Sequence, residues 1–151
     1  MIDLLTNRVL IIPITTWVIS QGLKIVFMLA QRKPLDLRYL ISGGMPSSHS
    51  AVVCALATTI ALTQGLGSAT FAIAAILALI VITDAVGVRR SVGQQSAALN
   101  RIMQELRLRR PVTELGRDLK EFIGHTQFQV LIGGLLGIAI SWLWIWLETP
   151  F

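Results

Sequence analysis

Charge is sparse in this sequence. Only 14% of its 151 residues are charged and 8 are acidic, against 54% hydrophobic residues and a mean hydropathy of +0.70. A soluble domain ordinarily carries about a quarter charged residues, so that class is excluded. Charged and apolar residues are also segregated into blocks, the pattern of an integral membrane protein. There is one cysteine, Cys54, inside an apolar run, which excludes an internal disulfide and leaves a small packing residue. No small-residue cleavage site follows the first apolar run, and Arg8 is the sole basic residue ahead of it. A removed signal peptide is therefore not expected. No internal repeat or low-complexity segment is present.

What charge there is leans positive, with a net +5 and an isoelectric point of about 10.4. That raises nucleic acid as a partner. However, 11 of the 13 Lys and Arg residues lie in two polar connections, at 31–45 and 89–120. Such clustering marks the cytoplasmic loops of a membrane protein, and no nucleic acid is expected.

Four apolar runs, about 9–30, 47–62, 69–87 and 125–147, predict an all-α integral membrane bundle of four transmembrane helices in a single domain, 1–151. The second run is short for a span. Its Ser47, Ser48, Ser50, Thr58 and Thr59 predict close helix packing, as do Gly133, Gly134 and Gly137 in the fourth. Trp142, Trp144 and Trp146 predict interfacial anchoring at the far end of the fourth run. In the connection at about 91–120, Ala98, Ile102 and Leu106 recur at a helical step of four. They predict an amphipathic helix at the membrane surface or over the bundle, available to lipid, to a partner or to a second copy in a homo-oligomer.

The chemistry concentrates in Gly43-Gly44-Met45-Pro46-Ser47-Ser48-His49-Ser50. Proline suits the first turn of a helix, free N–H groups at a helix start bind anions, and a histidine exchanges protons near neutral pH. The stretch reads either as a phosphate-handling site or as a capped helix start with an incidental histidine. Lys24, inside the first run, either snorkels to the headgroups or faces a polar site. Asp84, near the end of the third run, is expected to pair with a cation, because the helix dipole disfavours a carboxylate there.

Four spans put the two polar connections on one side and both termini on the other. The excess of basic residues assigns the connections to the cytoplasm and the termini to the non-cytoplasmic side. Lys24, Ser47, Ser48, His49, Asp84, Arg89, Arg90 and His125 then share one membrane face. Two histidines among several cations suit phosphoryl transfer: cations hold the oxygens, one histidine attacks and the other protonates the leaving group.

Pro46-Ser47-Ser48-His49 resembles the central motif of the type 2 phosphatidic acid phosphatases, which are related to the vanadium haloperoxidases. The blocks at 43–51, 84–100 and 124–134 are similar to a divergent branch of that superfamily, made up of small bacterial and plastid-type membrane proteins. The resemblance spans nearly the whole chain. It implies a lipid-phosphate phosphatase of the plasma or inner membrane, or of a thylakoid or plastid-type membrane, with no metal or other cofactor. It implies His125 as nucleophile and His49 as general acid. Lys24, Arg32 and Lys33 would bind phosphate from the first motif, with Ser47 and Ser48 completing the cradle. The sequence departs from that pattern in three places. Lys24 stands farther from Arg32-Lys33-Pro34 than the first motif has it. Leu119 occupies the place of an arginine, which Arg89 or Arg90 would replace, with Asp84 as anchor or substitute acid. Gln129 stands where an aspartate would orient the nucleophile, and glutamine brings no charge to an imidazolium. That last departure supports an alternative, a catalytically weak or inactive phosphate- or phospholipid-binding protein acting as carrier or assembly factor.

Overall fold

The computed structural model of the chain describes residues 6–32, 44–87 and 126–148, together with 91–92, 95–96, 98–99 and 102. Four helices account for nearly all of it: α1, Arg8–Ala30; α2, Ser48–Gln64; α3, Ala69–Val86; and α4, Gln127–Glu148. No strand occurs among the described residues, and the chain is an all-helical membrane bundle.

The expected count of four spans needs one correction. Three helices, α1, α3 and α4, are long and apolar enough to cross a membrane alone. The second, α2, has 17 residues and rises roughly 25 Å, against a hydrocarbon core of about 30 Å. Its hydroxyls make it less apolar, and it tolerates them because it is the central helix, packed against all three others. The long helices meet lipid instead: Ile73, Ile76 and Ile80 of α3, and Leu131 and Leu135 of α4, are exposed.

Local chemistry sets the helix ends. Asn7 caps α1 by accepting from the Val9 N–H at 3.0 Å. The chain leaves α1 through Arg32, whose φ of 53° is the left-handed turn that stops a helix. Pro46 does not occupy the first turn of α2, as the sequence suggested. It follows a cis peptide bond and lies just outside the helix, because Ser47 takes the cap position and accepts from Ser50 N at 3.5 Å. Gly65, at φ 85°, and the Ser68 hydroxyl, accepting from Phe71 N at 3.2 Å, make the tight turn into α3.

The α2–α4 interface is built from small residues. A Cβ on Gly137 would run into the carbonyl of Ala51 and lie 2.9 Å from Ala55 N, while one on Gly133 would run into the carbonyl of Ser47. The Ser141 hydroxyl shares its proton between Ala55 O at 3.1 Å and Gly137 O of its own helix at 2.9 Å, and Ser47 N donates to Gln129 O at 3.1 Å. These contacts advance in step along the two helices, so α2 and α4 run parallel, with their N-termini side by side. At the other end the Arg8 side chain pairs with Glu148 at 2.8 Å, and the Trp144 indole donates to Glu148 at 2.8 Å. The Arg8–Glu148 pair sets α1 antiparallel to α4.

Of the expected surface helix, residues 91–92, 95–96, 98–99 and 102 are helical, and Val92, Leu99 and Ile102 are exposed. The rest of that stretch, including Leu106, lies outside the described residues.

Candidate functional site

The site begins with a buried cation. On α1 the buried residues are Ile12, Pro13, Thr16, Ser20, Lys24 and Met28, and all but Pro13 recur every four residues. Thr16 and Ser20 satisfy their hydroxyls on the carbonyls of Ile12 and Thr16, at 2.8 and 2.7 Å. Lys24 is 1% exposed, so it does not snorkel to the surface. Its ammonium donates to the Ser48 hydroxyl at 3.2 Å. Ser48 opens α2 and is also buried. A lysine inside an apolar span is costly and is held by polar partners; here one partner is the middle of the Pro-Ser-Ser-His motif.

Two helix starts meet at this point. The Ser47 hydroxyl accepts from the Ser50 hydroxyl at 3.0 Å as well as capping α2, so Ser47 acts first as a structural cap. At α4, Thr126 and Gln129 serve each other. Gln129 N donates to the Thr126 hydroxyl at 3.3 Å, and Thr126 N donates to Gln129 Oε1 at 3.1 Å. This is a capping box. The pattern Thr-x-x-Gln was open to view in the sequence, but Gln129 was read there only for its relation to His125. The structure gives its side-chain oxygen a task at the start of its own helix. With α2 and α4 parallel and adjacent, two positive dipole ends point to the face where Lys24 lies, an arrangement that favours an anion.

The remaining site residues are distributed as follows. His49 lies in the first turn of α2 and is exposed, whereas Ser47, Ser48 and Ser50 around it are buried. Asp84 is half-buried in the last turn of α3. The tight turn at 65–68 makes α3 antiparallel to α2, so Asp84 stands at the same end of the bundle. Arg32 is exposed at the C-terminal end of α1. The structure thus brings Lys24 and Ser48 into contact, joins Ser47 to Gln129 through the backbone, and puts His49, Asp84 and Arg32 at the same end. His125, Lys33, Arg89 and Arg90 lie outside the described residues. One group not anticipated from the sequence is Gln21, three residues and about 4.5 Å deeper than Lys24. Its Oε1 is buried and makes no hydrogen bond.

Comparison with known proteins gives two findings. A family model described as the divergent PAP2 family matches residues 5–140. The chain is also similar to the uncharacterized membrane protein YuiD of Bacillus subtilis (strain 168), with 37% identity over 149 residues, 92% of this chain and 94% of that protein. No solved structure matches the chain.

Proposed function

The chain belongs to the divergent PAP2 family, and from that premise we propose that it is a multi-pass membrane lipid-phosphate phosphatase. One observation carries the reading. Lys24, sunk in a membrane-spanning helix, donates to Ser48 of the Pro-Ser-Ser-His motif, beside the paired N-termini of α2 and α4. A buried cation, a hydroxyl and two helix starts suit a phosphate group.

In this reading His125 attacks phosphorus to form a phosphohistidine, and the P–O bond to the lipid breaks. His49 protonates the departing alkoxide. His49 then takes a proton from water, which attacks the phosphohistidine and releases orthophosphate and free His125. Lys24, Ser48 and the cations Arg32, Lys33, Arg89 and Arg90 hold the oxygens that carry the developing charge. Asp84 anchors an arginine or acts as the auxiliary acid. The clustered basic residues face the site to the cytoplasm and put both termini outside, in a plasma, inner or plastid-type membrane.

Phosphate release from phosphatidate, phosphatidylglycerophosphate and isoprenyl phosphates, with and without vanadate, tests this reading. Turnover of one of them, inhibited by vanadate and abolished by His125→Ala, supports it. Binding without turnover would convert it into the carrier or assembly-factor reading.

A further inference from the structure

Among the described residues the bundle is not closed around α2. There α1 packs on α4, and α3 packs on α2, but α1 and α3 make little contact with each other. The neighbours of α2 can be assigned by face. Ser47, Ala51 and Ala55 meet α4, and Ser48 meets Lys24 of α1. Ser50, Val53 and Ile60 form a third buried face, left for α3. Between the α1 and α3 faces runs a stripe at helical spacing: His49, Val52, Leu56, Thr59 and Thr63. His49 and Thr63 are exposed, Val52 and Leu56 are half-buried, and Thr59 is fully buried. The two side chains next to His49 along it are purely hydrocarbon. Its end nearest the site is His49, one residue from the Lys24–Ser48 contact.

We infer that the α1–α3 seam admits one hydrocarbon chain of a lipid phosphate from the bilayer, with Val52 and Leu56 as its floor and the phosphate drawn to Lys24 at its head. The inference rests on the proposed lipid-phosphate site and adds the route: the chain enters sideways from the bilayer and lies along α2. Three features argue for this occupant. The seam opens sideways between α1 and α3, two helices apolar enough to span a membrane, so hydrocarbon is what surrounds it. The buried cation lies at one end of the seam, which matches an amphiphile with a single anionic head. The stripe is continuous with the motif that holds the cation, so head and chain are served by one helix.

The test reads ligand-induced thermal stabilisation of the whole protein in maltoside micelles, with two probes: inorganic phosphate, which needs only the anion site, and dioleoyl phosphatidate, which needs the site and the seam. Wild type is expected to respond to both, and to the lipid at a concentration lower by roughly tenfold or more. Leu56→Trp, and independently Val52→Trp, put an indole into the space the chain would take. Each should erase the lipid advantage, with the phosphate response as internal reference for a folded site. Retention of the advantage in both variants would overturn the seam and leave the anion site standing. Absence of any response to either probe in wild type would overturn the phosphate site and the seam together.

Discussion

Two sides of α2 are built in opposite ways. Toward α4 it offers Ser47, Ala51 and Ala55, and α4 answers with Gly133, Gly137 and Ser141, so closely that backbone meets backbone. Toward the α1–α3 seam it offers His49, Val52 and Leu56, and none of the described helices covers them fully. In lipid, helices gain nothing by hiding apolar surface from one another, so association depends on close approach and on hydrogen bonds. The α4 side has both. On the seam side, larger apolar side chains hold neighbours at a distance, and there α2 meets its surroundings. One helix thus serves as a fixed wall on one face and as an accessible wall on the other, with the cation contact at the end where the two faces meet.

The sharpest way to break the contrast is to add one carbon on the closed side. In Gly137→Ala the new Cβ meets the Ala51 carbonyl and the Ala55 amide, both backbone, and neither can swing away. The helices must part, at a cost of about 3 kcal/mol. A fall in the midpoint of unfolding in detergent checks this. The same addition at Gly22, on α1, meets nothing within 4 Å. Gly22→Ala should be neutral or slightly stabilising, since alanine is the better helix former by about 1 kcal/mol.

Next in size is Lys24, tested by function rather than by fold. Lys24→Met keeps most of the side-chain length and removes the charge and the donor to Ser48. Phosphate-dependent stabilisation, and any turnover, should fall by about 10²-fold or more. The unfolding midpoint without ligand should change far less than the phosphate response, because the relieved desolvation of the ammonium offsets the lost bond to Ser48. A variant that loses stability and keeps its phosphate response would reduce Lys24 to a packing element.

These effects bear on what the sequence could disclose. The long helices were legible because lipid selects continuous apolar runs, and α1, α3 and α4 are such runs. The glycines of α4 were legible as close-approach residues for the same reason. What they approach was not, since Gly133 and Gly137 do not name Ser47 and Ala51. Lys24 allowed two readings at the sequence level, and only its burial and its bond to Ser48 separate them. The capping box of Thr126 and Gln129 was present as a pattern but obscured by a stronger expectation about position 129. The α1–α3 seam was illegible, because a gap belongs to the arrangement of helices and to no residue.

Gln129 allows a finer comparison between its two candidate tasks. Gln129→Ala should cost about 1 kcal/mol by opening the cap of α4. Gln129→Glu should restore it, since glutamate at the third helical position caps equally well and complements the dipole. If turnover follows the unfolding midpoint across the three proteins, Gln129 acts through its helix. A Glu variant that matches wild type in stability but surpasses it in turnover would show that a carboxylate here also supports the nucleophile.

The smallest expected effect concerns Thr59, fully buried on α2 with a hydroxyl that makes no hydrogen bond. A helical threonine ordinarily returns its hydroxyl to the carbonyl four residues back, as Thr63 does to Thr59 O at 2.7 Å. For Thr59 that carbonyl is Ala55 O, which the Ser141 hydroxyl of α4 also reaches at 3.1 Å, sharing its one proton between it and Gly137 O of its own helix at 2.9 Å. The tight interface thus competes for the acceptor that Thr59's own helix would have used. Thr59→Val removes an unsatisfied group at nearly constant shape and should stabilise the protein by about 1 kcal/mol. In a Ser141→Ala background, Thr59 regains its acceptor, so the same substitution should gain nothing. A double-mutant cycle read by unfolding midpoint measures that difference, and additivity of the two changes would mean that Thr59 and Ser141 do not compete for Ala55 O.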